Sequence, residues 1–253
     1  MQDLGIVMRA LALALVMTLS PLAAHAGETV PYTVDGETFE GYRAEPDGTS
    51  KGLVVIIHAW GGVTSYEQKR ADMIAALGYE AFALDLYGKG NRPLDTDAKK
   101  REATKLYEDR ARMQKLLIGG LKEARNGGEE AAVVIGYCFG GAAALELARS
   151  GKAEGVKGYV TFHGGLKTPE GESYSAGTPP LLILHGGVDA SITMEDVAAL
   201  SRELEAAKLP YEIQVYSGAP HAFTVFGTDA YRQDADEKSW AAFTQFLVAQ
   251  LAN

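Results

Sequence analysis

From residue 53 onward, short runs of aliphatic and β-branched residues alternate with longer amphipathic stretches. A chain patterned this way buries its strands as a mostly parallel sheet with helices on both faces, an α/β architecture. The apolar runs are 53–57, 81–84, 132–135, 156–162, 181–184 and 212–216, and most lack polar alternation, as strands covered on both sides do. Helical patterns fill the intervals: 66–77 stopped by Gly78, 97–125 stopped by Asn126-Gly127-Gly128, then 140–148, 194–207 and 234–251. The beginning differs. Segments 29–34 and 37–43 meet at Asp35-Gly36, a favoured two-residue hairpin turn, so the domain opens with an antiparallel pair.

Ahead of this pattern, Arg9 is followed by the apolar run Leu11 to Leu19, a break at Pro21 and the small-residue sequence Ala24-His25-Ala26. This is the three-part shape of a secretory leader, 1–26, with cleavage after Ala26. Asp3 is out of place in a basic leader, which favours Met8 over Met1 as the start. The chain is thus expected to be exported, periplasmic or secreted, and free of the membrane once the leader is removed, since no later segment reaches the ~20 apolar residues of a spanning helix. Residues 27–253 carry no linker or repeat and read as one domain. A formal charge of -9 argues against nucleic acid as a partner, and the 47% hydrophobic content supplies a sizeable core.

The single cysteine, Cys138, excludes an internal disulfide and needs its own explanation. In a parallel sheet the chemistry sits in loops at the carboxyl ends of strands. Gly136-Tyr137-Cys138-Phe139-Gly140-Gly141 lies directly between a strand run and a helical run, and matches a G-x-S-x-G nucleophile elbow with cysteine in the serine position. The bend is sharp, and glycines on either side remove clashes with neighbouring elements. The thiol then stands at the positive end of the following helix, which favours its thiolate, and the Phe139 amide is free to donate to an oxyanion. The bland alternative is a small buried hydrophobe, the common fate of a free cysteine.

An elbow of this kind takes its acid after a late strand and its histidine in the loop before the last helix. Asp189 and His221 hold those places, the latter in Ser217-Gly218-Ala219-Pro220-His221-Ala222-Phe223. His58, His163 and His185 end strands, where a histidine satisfying backbone groups is the commoner state, though His58 and His163 are also candidates to line the pocket. Asp85 also ends a strand but precedes the cysteine and would tie down its own loop; Asp189 in turn could be an ordinary turn or capping aspartate. A second oxyanion donor belongs to the loop His58-Ala59-Trp60-Gly61-Gly62, with the Trp60 amide the best placed; its indole either walls the pocket or packs on the sheet. Gly88 to Thr96, with Pro93 among Gly and Asn, reads as a mobile loop able to cover the pocket.

Four landmarks spread over the mature chain carry a family resemblance: Gly-Tyr-Cys-Phe-Gly-Gly at 136–141, Asp-Leu-Tyr at 85–87, His-Gly-Gly at 163–165 and Pro-His-Ala-Phe at 220–223. With them the sequence resembles the dienelactone hydrolase family. The resemblance implies an α/β-hydrolase fold and a Cys138, Asp189, His221 triad, in a monomer that acts on a small ester or lactone without cofactor or metal. It also brings Tyr87 and Phe223 to the pocket. Three departures stand out. The family glutamate beside the cysteine is matched by Ala59, and the two arginines that bind a substrate carboxylate are matched by Lys89 and Val225. A substrate less anionic than a muconate-type dienelactone is the expectation. The rival expectations are a catalytically weak binding protein on the same fold, and a thiol peptidase or acyltransferase sharing the triad.

Overall fold

The computed structural model describes residues 26–252. The expected leader, with the choice of Met1 or Met8, lies almost wholly outside the described residues. Fourteen elements follow in the order β1 (Glu28–Val34), β2 (Glu37–Ala44), β3 (Leu53–Ile57), α1 (Ser65–Ala76), β4 (Glu80–Leu84), α2 (Thr96–Glu108), α3 (Arg110–Ala124), β5 (Ala132–Tyr137), α4 (Phe139–Ser150), β6 (Val156–Phe162), β7 (Leu181–Gly186), α5 (Met194–Ala206), β8 (Tyr211–Tyr216) and α6 (Gln233–Leu251).

The strands form one eight-stranded sheet in the order β1-β2-β4-β3-β5-β6-β7-β8. β1 and β2 pair antiparallel, β2 meets β4 antiparallel, and the six strands from β4 to β8 are parallel. The hairpin turns where expected: Asp35 (φ 50°) and Gly36 (φ 81°) are both left-handed, the backbone a type I′ turn demands. Two apolar layers flank the sheet. Side chains of β3, β4 and β5 that alternate in sequence go to opposite layers, Val55 and Ile57 to the side of α3, α4 and α5, Val54 and Ile56 to the side of α1 and α6. That division is the period-two rule of a strand covered on both faces.

One helical expectation is corrected. The stretch 97–125 is two helices that break at Asp109 (φ -117°, ψ 76°), whose carboxylate accepts the Arg112 amide and caps α3. A short carboxylate that offers its own acceptor to a free amide competes with helix continuation. The break lets α2 turn over the carboxyl end of the sheet while α3 packs along its face.

Strand order fixes where a site can lie. From β3 the chain moves outward to β4, then returns past it to β5, so β3 and β5 are neighbours whose following loops diverge. Such a switch point opens a crevice above the strand ends. Ile57 and Gly136 are paired across it, which places the loop after β3 beside the turn after β5.

Candidate active site

Cys138 sits at that turn with φ 54° and ψ -115°, a backbone conformation that a non-glycine residue adopts only under constraint. The constraint is visible in the flanking glycines. A Cβ on Gly136 would come 2.0 Å from the Gly140 carbonyl oxygen, and one on Gly140 would come 2.1 Å from the Ile57 carbonyl oxygen. Neither position tolerates a side chain, and the elbow closes only because both lack one. The Cys138 amide donates to the Phe162 carbonyl (3.1 Å), pinning the bend to β6.

His221 Nε2 lies 3.1 Å from Cys138 Sγ, and His221 Nδ1 lies 2.7 Å from Asp189 Oδ2. The other Asp189 oxygen accepts the amides of Ser191 (2.8 Å) and Ile192 (2.9 Å), so the carboxylate is held at both ends and its side chain is wholly buried. Burial opposes a charge on His221. The hydrogen bond and charge of Cys138, followed by those of Asp189, outweigh it and raise the imidazole to about 9.

The histidine loop is braced from behind. Ala222 has φ 60°, and the next turn is anchored by Thr224, whose carbonyl accepts Arg70 Nη2 at 2.9 Å. Arg70 of α1 is buried and ion-paired with Asp236 of α6. The Thr224 hydroxyl lies 2.8 Å from His163 Nε2 and 2.5 Å from the Tyr66 hydroxyl. His163 packs edge-on against His221, ring centroids 5.2 Å apart. Burial, with the neighbouring His221 charge adding to it, pushes His163 well below the usual range and keeps it neutral.

These groups open onto a cavity of about 630 Å³. Cys138, Phe139, Ala59, Trp60, His163, His221 and Val225 all line it. Phe139 is the first residue of α4, so its amide has no intrahelical acceptor. The Trp60 amide lies in the turn closed by Gly62 donating to the Ala59 carbonyl at 3.1 Å.

Four expected pocket residues lie elsewhere. His58 is fully buried below the floor, its Nδ1 2.6 Å from the Ala59 carbonyl and its Nε2 accepting the Leu86 amide at 3.1 Å; burial drives it down to about 4. Phe223 is fully buried behind His163. Tyr87 packs under Phe139 against His58 and does not reach the cavity wall. Lys89 turns outward to Glu40 (3.3 Å). Nor does 88–96 cover the cavity. Arg92 donates to the carbonyls of Val63 (2.9 Å), Asn91 (2.9 Å) and Glu40 (3.0 Å), which fixes the loop to the body of the domain. Asp85 binds the Tyr87 and Glu40 amides and so holds its own loop.

Among the lining residues that escaped the sequence reading, two groups shape the site most. Lys99, Ala103 and Tyr107 of α2 form one wall. Their i, i+4, i+8 spacing is a helical stripe and was legible as such, but nothing local says what that stripe faces. Glu67 is the other. Thr64-x-x-Glu67 is a capping box, and Glu67 satisfies it by accepting the Thr64 amide (2.8 Å) and hydroxyl (2.5 Å). Its second oxygen reaches further and accepts the Ala59 amide at 3.1 Å, tying both ends of the Trp60 loop to one buried carboxyl. Burial pushes that carboxyl up, against the pull of the Thr64 and Ala59 donors.

A mostly parallel eight-stranded sheet with a strained strand-to-helix elbow above its switch point defines an α/β-hydrolase. A solved dienelactone hydrolase-like promiscuous phosphotriesterase from metagenomic libraries superposes with a TM-score of 0.78 at 26% identity, over 88% of this chain and 98% of that one. The sequence profile of the dienelactone hydrolase family matches residues 39–251, and the chain belongs to that family. A relative from Bradyrhizobium sp, named as a 2-oxo-3-(5-oxofuran-2-ylidene)propanoate lactonase, is 27% identical over 85% of this chain and 91% of its own length. One from Yersinia pestis, assigned by name to the carboxymethylenebutenolidases, is 28% identical over 90% of this chain and 91% of its own.

Proposed function

We propose that this hydrolase cleaves a small ester or lactone through a thioester on Cys138. The observation that carries the reading is the unbroken line from Sγ to Nε2 (3.1 Å) and from Nδ1 to Oδ2 (2.7 Å), with the sulfur facing a cavity of substrate size. His221 takes the thiol proton, and the sulfur attacks the carbonyl carbon. Asp189 holds the imidazole with Nδ1–H toward itself, which leaves Nε2 as the acceptor and supports the imidazolium once it forms. The amides of Phe139 and Trp60 receive the negative oxygen of the tetrahedral intermediate. His221 returns the proton to the departing alkoxide, then activates the water that hydrolyses the thioester. A lactone differs only in that its alkoxide stays tethered to the acyl group.

Trp60, Tyr107, Phe139, Ile192 and Val225 make the cavity wall largely aromatic and aliphatic, and Lys89 points away from it, which leaves Lys99 as the single lysine or arginine among the described lining residues. These features favour a substrate less anionic than a dienelactone. We assign the protein to the periplasm or exterior on the strength of its leader pattern, and take it to act as a monomer.

The test is hydrolysis of short aryl esters and simple lactones by the mature protein and by Cys138→Ala. Turnover lost in the variant, with a cooperative melting transition retained, supports the proposal; undiminished turnover ends it. Rapid iodoacetamide labelling of Cys138 that is lost in His221→Ala separates a working nucleophile from a binding protein with an inert thiol.

A further inference from the structure

The start of the described chain carries a carboxylate without a cation. Asp72 lies half-buried on α1, and its Oδ1 accepts the Tyr42 hydroxyl at 2.9 Å and the Gly27 backbone nitrogen at 3.0 Å. No lysine or arginine pairs with it among the described residues, in a chain where carboxylates elsewhere repeatedly find one. Gly27 itself is tightly seated. A Cβ there would come 2.2 Å from the Arg43 carbonyl oxygen and 2.8 Å from the Tyr42 ring, so the position accepts only glycine. Ala26, one residue earlier, is exposed. The nitrogen at Asp72 is therefore the one that cleavage after Ala26 would free.

We infer that Asp72 is a binding site for the α-ammonium of Gly27, made when the leader is removed. Hydrolysis of the Ala26–Gly27 peptide bond by a leader peptidase consumes one water. Hydroxide goes to the Ala26 carbonyl carbon, which leaves as a carboxylic acid and ionises to the carboxylate, and the Gly27 nitrogen keeps its proton and gains two more, one from that water and one, through solvent, from the ionising acid. A neutral amide with one donor becomes a cation with three, already within hydrogen-bond distance of the carboxylate. The mature fold thus gains an ion pair between the head of β1 and α1 that the precursor lacks, and the domain is at its most stable only after processing.

The pair also has a pH signature, set among Glu28, Arg43, Glu45 and Asp47, which line the same surface cleft as Gly27. A free α-amino group titrates near 7.7–8.0, and a carboxylate partner raises that value in the folded state. The added stability is complete below the unfolded value and is lost as pH rises through the folded one.

The test compares three forms of the protein: one released from a fusion so that Gly27 is the first residue, the same chain acetylated at that nitrogen, and one that retains Ala26. At about pH 6.5 the Gly27 form is expected to melt roughly 2–4 °C above the other two, the shift such a pair gives in a domain of this size. The difference should vanish by about pH 10, where the amine is neutral, and in Asp72→Asn. Equal midpoints at both pH values overturn the inference, as does a difference that survives in Asp72→Asn. If that variant does not fold, the acetylated comparison at two pH values decides alone. N-terminal sequencing of the exported protein must return Gly27; any other residue also overturns it.

Discussion

Replacing Asp189 by Asn tests the active-site reading at its least forgiving point. The carboxylate has two separate duties: Oδ1 accepts the Ser191 and Ile192 amides, and Oδ2 faces His221 Nδ1 at 2.7 Å. An asparagine can fill the same space with its carbonyl toward the two amides, because turning its NH₂ that way would set donor against donor. The NH₂ must then face Nδ1. That reverses the imidazole, which now carries its proton on Nε2 and points it at the sulfur 3.1 Å away, where it cannot accept the thiol proton. Loss of the charge-assisted bond alone costs about 1.5–3 kcal/mol, or roughly 10–150-fold in rate. The wrong tautomer carries the loss in kcat toward about 10⁴-fold. Stability should fall by no more than about the same 1.5–3 kcal/mol, since both amides keep an acceptor. The assay is kcat and KM on a short aryl ester with a melting curve alongside. A variant that keeps its fold and stays within about three-fold of the parent in kcat would refute the assignment of Asp189 as the partner that sets the tautomer.

Further expectations concern the supports of the site. Glu67→Gln removes one acceptor from a carboxyl that binds three donors, so the Trp60 loop loses a tie; kcat should fall roughly 10-fold with KM nearly unchanged, and equal losses in both would point to a general folding defect instead. Thr224→Val keeps the shape of the side chain but strips His163 Nε2 of its partner, with a cost of about 1–3 kcal/mol in denaturant unfolding and a lower kcat through the loosened histidine loop; full stability in this variant would contradict the brace. Because His221 is raised above its unfolded value to about 9, its contribution to stability is complete below about pH 6.5 and declines as pH rises through 9. Melting curves across that range should show the decline, and Cys138→Ala, which removes the largest upward pull on His221, should flatten it.

The sequence alone determined the order and type of nearly every element, because the run lengths and the absence of polar alternation are properties of strands covered on both faces, which few other folds require. It determined the elbow for the same kind of reason: two glycines flanking a cysteine answer to backbone collisions only about 2 Å away, and no substitute satisfies them. Cys138, Asp189 and His221 were legible because their positions follow from strand ends and chain order.

The tertiary structure decided the walls. Lys89 and Lys99 are both lysines near the same strand end, yet Glu40 draws the first outward and the turn of α2 at Asp109 carries the second over the cavity. The 88–96 segment has the composition of a mobile loop, but four carbonyls gathered from residues 40, 63, 88 and 91 hold Arg92 and with it the loop. His58 and His163 end strands in the same way; one lies beneath the floor and the other beside His221. Composition and periodicity act through neighbours in the chain, whereas a pocket is lined by whatever long-range packing brings together, and for that reason the members of the proposed triad were readable from one dimension and their surroundings only from three.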